Sequence, residues 1–322
     1  MNPTIVIGGS GFIGTHLVKI LIAAGREVHV VGRKENAPEK LPSQCRYING
    51  NYGDRSTLKK ILTPECEVVD LAYSTVPKTS FEDPLYDLTS NLPSSVALME
   101  EALKIGVRRL VLVSSGGTVY GPVESLPITE NHPTRPISPY GITKLAVDRY
   151  AMMYHRNGGL PVIVVRPSNA YGGDQRSGTG QGFLAAALHA IFSGGDVEIY
   201  GEKGTIRDYV HVSDVAAGIE AVLSSGCDGM IYNLGTGIGI SNHQIVSMLT
   251  KLAEKDGFKV RTRILPARKY DVESNVLDSS LLRNSTGWCP KIGLKEGIKE
   301  MWNSLKDSKT SKKTKNEELS QK

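Results

Sequence analysis

Cysteine and tryptophan are scarce in this chain, four and two among 322 residues. Cys45, Cys66, Cys227 and Cys289 are widely scattered, with no metal-ligand spacing, which argues against a zinc module or a disulfide scaffold and fits a reducing compartment. No apolar run approaches the ~20 residues needed to cross a bilayer, and the N-terminus runs directly into a strand without a signal-peptide pattern. A cytoplasmic protein with no membrane partner is expected. Internal repeats and low-complexity linkers are also missing before the C-terminal stretch. The net charge of +5 is partly an end effect of Lys306, Lys309, Lys312, Lys313, Lys315 and Lys322. Residues 306–322 therefore read as a solvated, disordered tail, with no nucleic-acid partner expected.

What remains is an ordinary globular composition, 40% hydrophobic and 22% charged, long enough for a large α/β unit with an added lobe. The chain opens with a short apolar strand, Thr4 to Ile7, which stops at Gly8-Gly9-Ser10-Gly11-Phe12-Ile13-Gly14 before a helical pattern from Thr15 to Ala24. Gly8, Gly11 and Gly14 are three apart. Such a turn can be tight and can bring backbone N–H groups, with Phe12 and Ile13, against a pyrophosphate at the helix N-terminus. The next strand ends in Gly32-Arg33, where an acidic residue often meets the ribose of NAD. Arg33 can stack on adenine, pair with the extra phosphate of NADP, or stand as a solvated cation.

Asn51 and Tyr52 follow the third strand and are placed to reach the adenine. Leu71, Ala72 and Tyr73 follow the fourth, in a loop that faces the cofactor by position. Val76 to Pro84 reads as a long loop, and a helix from about Leu85 to Ile105 contains Asn91. A fifth strand leads into Ser114-Ser115-Gly116-Gly117-Thr118-Val119-Tyr120-Gly121. Then comes Ser138-Pro139-Tyr140-Gly141-Ile142-Thr143-Lys144, at the start of a helix. Four residues apart, Tyr140 and Lys144 share a helix face, and the ammonium is expected to lower the phenol's pKa until Tyr140 accepts a proton near neutral pH. That is acid/base equipment for oxidising an alcohol.

Together these motifs resemble the extended short-chain dehydrogenases/reductases, and within them the nucleotide-sugar branch, UDP-glucose 4-epimerases being closest. The second half is similar too, and the likeness covers roughly residues 3 to 303. By resemblance Asn91, Ser114 and Ser168 join the cofactor wall, Asn169 bonds the substrate diphosphate, and the backbone at Tyr200 meets uracil. Arg207, in Arg-Asp-Tyr-Val-His, grips the diphosphate, as a bidentate guanidinium suits phosphate oxygens. Arg268 meets phosphate and Asp271 the uridine ribose. His211 reads as a packed structural histidine.

Two departures stand out. Gly116 occupies the position of the family's catalytic Ser or Thr, so Thr118 is assigned that role, with Ser115 next. Asn275 stands where some relatives carry a bulky Tyr that closes the sugar pocket, which would leave room for an N-acetyl group. The dehydratase and decarboxylating relatives need a carboxylate where this chain has Gly117-Thr118. The resemblance therefore implies 4-epimerisation of UDP-glucose, or its N-acetyl form, through a 4-keto sugar with tightly bound NAD. Tyr140, Lys144 and Thr118 form the catalytic set, with no metal. An NADP-dependent keto-sugar reductase is one rival, favoured by Arg33; a non-catalytic dinucleotide sensor is the other. The expected fold is a doubly wound, Rossmann-type parallel sheet over residues 1–168 with a smaller α/β substrate lobe over 169–305, the two interleaved. A homodimer through the helices holding Asn91 and Tyr140 is implied.

Overall fold

The computed structural model describes residues 2–173, 175, 182–268 and 271–320. Strand β1 (Thr4–Ile7) is buried along its whole length, as a strand covered on both faces must be. It leads through the glycine turn into α1 (Phe12–Ala23). The alternation continues with β2 (Val28–Gly32), β3 (Arg46–Asn49), α2 (Arg55–Ile61), β4 (Glu67–Asp70), α3 (Pro77–Glu82), α4 (Pro84–Ile105), β5 (Arg109–Val113), α5 (Pro139–Gly158) and β6 (Val162–Pro167).

These strands pair in parallel in the order β6-β5-β4-β1-β2-β3, so the direction of winding reverses between β1 and β4. That reversal opens a crevice beyond the strands' carboxyl ends, where ligands bind in such sheets. Alternate side chains build a core on each face. Val6, Val30, Val69 and Val111 pack towards α1, while Ile5, Ile7, Val68 and Leu110 pack with residues of α2, α4 and α5.

The later chain supplies β7 (Asn169–Tyr171), α6 (Phe183–Ser193), β8 (Asp196–Tyr200), β9 (Ile206–His211), α7 (Val212–Ser225), β10 (Ile231–Leu234), β11 (Gly239–Ser241), α8 (Asn242–Lys255), β12 (Arg261–Leu265), β13 (Ser274–Asn275), α9 (Ser280–Thr286) and α10 (Leu294–Ser320). The lobe has its own small sheets, β11-β9-β13 with β7 on β9, and β12-β8. Its apolar core includes Leu188, Val197, Leu249 and Trp302. β10, however, pairs with β6 as the seventh strand of the large sheet, and residues of α7 share the core of α1. A cut at 168/169 thus passes through one sheet.

Two expectations are corrected. Val76–Pro84 is not a loop throughout but contains α3. Residues 306–320 are not an irregular tail but continue α10 as helix; Lys322 lies outside the described residues. No described helix is long and apolar enough to cross a membrane.

Candidate active site

The crevice is a cavity of about 540 Å³ bounded by the carboxyl ends of the large sheet on one side and the lobe on the other. At its base the glycine turn is compressed against its neighbours. Gly8 adopts φ +76°, and a Cβ there would lie 2.9 Å from the Ala72 nitrogen. A Cβ at Gly14 would lie 2.6 Å from the Gly8 oxygen. Gly11 caps α1 without offering a side chain to its N–H groups, so these remain available to a ligand's anionic oxygens. Gly8, Gly11, Phe12, Ile13, Gly14, Leu71, Tyr73, Ser114 and Ser168 all line the cavity. This cradle fits a dinucleotide, and the Ser168 hydroxyl is buried beside it with no protein partner.

Several expected cofactor residues stand away from the wall. Arg33 is exposed at the end of β2, and the Asn51 side chain accepts a bond from the Gly53 N–H at 3.2 Å. Tyr52 packs on the core, and Ala72 lies beneath Gly8. Asn91 is fully buried; it accepts from the Ser74 N–H at 2.8 Å and so holds the loop after β4 in place instead of lining the cavity.

At the reacting end, α5 begins with the Ser138 hydroxyl accepting from the Gly141 N–H at 3.1 Å and with Pro139 at the first helical position. This start aims Tyr140 and Lys144 into the cavity. Lys144 is buried and donates to the Val113 carbonyl at 2.8 Å. Its ammonium lies 4.0 Å from the centroid of the Tyr73 ring but 6.0 Å from that of Tyr140, and the two tyrosine rings meet edge to face at 4.8 Å.

The electrostatics differ from the sequence expectation. Burial, and then the charge of Asp87, push the Tyr140 phenol well above its usual range. Burial lowers Lys144 to about 8 against the opposing pull of Asp70, Asp148 and Asp87. Burial likewise raises Asp70 to about 6, while the Ala72 N–H and Lys144 pull it down. The protein alone therefore favours a protonated Tyr140.

Gly116 is also explained by packing. A side chain there would strike the Leu277 Cδ1 at 2.4 Å, so this position does not present a hydroxyl to the cavity. Ser115 and Thr118 do line it, and the Thr118 hydroxyl is buried without a partner. Asn275 is not on the wall. It is buried, donating to the Gly116 carbonyl at 3.0 Å, so it cannot set the size of a sugar pocket by direct contact.

From the lobe, Asn169, Arg207, Arg268 and Asp271 close the opposite wall. Burial lowers the Arg207 pKa, offset by Asp271. Tyr200 lies behind this wall, with the Arg268 guanidinium 3.4 Å from its ring centroid, so it braces Arg268. His211 is buried, accepting from the Ser213 N–H at 3.3 Å. Sequence reasoning missed Thr75, Asp87 and Thr143, a buried cluster between the loop after β4, α4 and α5. The signal available was faint: a polar loop residue, and two polar residues on otherwise ordinary helical turns.

A dinucleotide cradle and an anion-binding wall thus share one cavity with a Tyr and a Lys between them. The model of the NAD dependent epimerase/dehydratase family matches residues 4–235. The chain belongs to that family. Over 310 residues it is 31% identical to a putative UDP-glucose 4-epimerase of Methanocaldococcus jannaschii, covering 94% of this chain and 98% of that one. The UDP-glucose 4-epimerase of Thermotoga maritima, solved with UDP-glucose, is 32% identical with a TM-score of 0.88, over 96% of this chain and 99% of that one. That of Thermus thermophilus, solved with NAD, is 32% identical with a TM-score of 0.85, over 94% and 99%. A dTDP-glucose 4,6-dehydratase of Streptomyces griseus is 30% identical over 91% of each chain, so family membership alone leaves the reaction to be argued from the site.

Proposed function

We propose that this family member is a nucleotide-sugar 4-epimerase that retains NAD and interconverts UDP-glucose and UDP-galactose. The observation that carries the reading is the cavity's inventory of carboxylates. Among the described residues that line it, Asp271 is the only Asp or Glu, and it stands with the two arginines on the lobe wall. A dehydratase must also remove a proton from carbon, for which the serine-rich loop of this chain, with Gly117 and Thr118 on the wall, offers no carboxylate base. Oxidation and reduction at a single carbon require only a group that moves the hydroxyl proton.

In this mechanism Arg207 and Arg268 hold the diphosphate by charge-assisted hydrogen bonds, with Asn169 beside them. Tyr140 takes the proton of the sugar 4-hydroxyl and later returns it; Thr118, whose hydroxyl has no protein partner, orients the same oxygen. Lys144, fixed by its bond to the Val113 carbonyl, would hold the cofactor ribose. NAD, held by the glycine turn with Ser114 and Ser168, would supply the acceptor for the C4 hydride, and the positive charge of its oxidised form would favour the Tyr140 phenolate. The 4-ketose turns over between the two transfers while the diphosphate stays clamped, and C4 is inverted. Because the cofactor ends as it began, tight retention does not slow turnover.

The functional unit is read as a homodimer. Leu85 and Leu88 of α4, with Ile142, Tyr150 and Met153 of α5, expose apolar surface on two helices that pack together.

The test is to incubate purified protein with UDP-glucose, and separately with UDP-N-acetylglucosamine, without added cofactor. Formation of the galacto-epimer from UDP-glucose is the expected result. Silence until NADPH is added, followed by its net consumption with a keto sugar, would replace the epimerase by a reductase.

A further inference from the structure

Asp87 lies in the first turn of α4, completely buried, where the helix N-terminus favours a negative charge. One carboxylate oxygen accepts from the Thr75 hydroxyl and the other from the Thr143 hydroxyl, the latter at 2.7 Å. Thr75 belongs to the cavity loop that carries Tyr73, and Thr143 stands one turn beyond Tyr140 on α5. Asn91, one turn further along α4, donates to the Asp87 carbonyl at 2.7 Å and contacts the Thr75 hydroxyl at 3.3 Å. A single carboxylate therefore joins the loop, α4 and α5 around the two tyrosines.

We propose that Asp87 is a positioning residue for the reacting pair, its carboxylate fixing the Tyr73 loop against the start of α5 and placing one buried negative charge near Tyr140. The proposal rests on Tyr140 acting as the proton acceptor.

The surroundings of Tyr140 make that charge effective. From the loop after β4 it meets the neutral Tyr73 ring, which lies against the Lys144 ammonium. From α3 the Ser80 hydroxyl accepts its backbone N–H at 3.2 Å, and Lys78 stands exposed on the cavity wall. Lys144, on its own helix, has Asp70 of β4 and Asp148 of α5 as further charged neighbours. Among these groups, Asp87 is the one whose charge raises the Tyr140 phenol. Removing it favours the phenolate, so the pH at which Tyr140 becomes a base should fall.

The decisive variant is Asp87→Asn in the cofactor-loaded enzyme, since an amide retains the shape and an oxygen acceptor while removing the charge. The rising limb of kcat against pH is expected to move roughly one pH unit towards acid, the scale of a nearby unit charge. The tyrosinate ultraviolet absorbance of the loaded protein, taken as the difference from the Tyr140→Phe form, should move by the same amount. That spectrum reads the tyrosine without turnover, so it tests Asp87 even if UDP-glucose is not the substrate. If limb and spectrum stay where they are in the wild type, the charge has no such role and the proposal fails. Thr143→Val keeps the charge but removes one anchor. It should lower kcat about tenfold with little change in KM, and Thr143→Ser should restore the rate. A Thr143→Val enzyme as fast as wild type would overturn the positioning role, including in the event that Asp87→Asn does not fold.

Discussion

Tyr140 and Lys144 share a helix face, but burial and the charge of Asp87, supplied from elsewhere in the fold, set their electrostatics. Asp70 shows the same dependence on surroundings. With a folded pKa near 6 against 3.8, its protonated form is the one the fold prefers. The stability it contributes is therefore complete below about pH 3.8 and is lost as pH rises through 6. At pH 7 ligand-free Asp70→Asn should be more stable than wild type by less than about 3 kcal/mol, and so melt at a higher temperature. The advantage should shrink towards pH 4, which thermal melts across that range would measure. Asn275 was misread because a residue counted along the chain has no direction. Only the pairing of β13 with β9 turns it towards the Gly116 carbonyl.

At the level of elements, the opening strand was readable to the residue, while the helix after the glycine turn, expected from Thr15, begins at Phe12. Gly14→Ala tests the packing of that turn. Its Cβ would lie 2.6 Å from backbone atoms of Gly8 and Gly9, which cannot move aside as a flexible side chain could. Retained NAD should be lost on purification, and absorbance of released cofactor in the denatured sample measures it. The helix α3 went unread for an instructive reason. Pro77 and Pro84 look like loop markers, but they sit at the first positions of α3 and α4, where a missing N–H breaks no hydrogen bond. The lysine-rich end was read from charge, yet Lys and Glu are also good helix formers, and α10 continues through it.

For the molecule as a whole, the doubly wound parallel sheet followed from the alternation of strand and helix, whereas the order of its strands came only from the structure. The share of the lobe in the large sheet was foreseen only as interleaving. The proposed association of subunits can be tested by Ile142→Asp, which puts a charge in the apolar face of α5. The variant should sediment as a monomer where wild type sediments as a dimer; a wild-type monomer would remove the reading. Deeper in the molecule, Arg166 and Asp148 form a buried ion pair at 2.9 Å, and Tyr120 bonds the same guanidinium at 3.0 Å. This network ties β6 to α5, so the strand that reaches the cavity at Pro167 and the helix that carries Tyr140 are braced together.

The late entry of β10 bears on how the protein is made. Until residue 234 has left the ribosome, β6 is an open strand edge with Val162, Ile163, Val164 and Val165 waiting for a neighbour. A nascent chain paused before that point exposes an unpaired, apolar template to other chains. Premature termination within the lobe should thus yield aggregates in place of a soluble cofactor-binding fragment, and smooth elongation through that stretch becomes a condition of a good harvest.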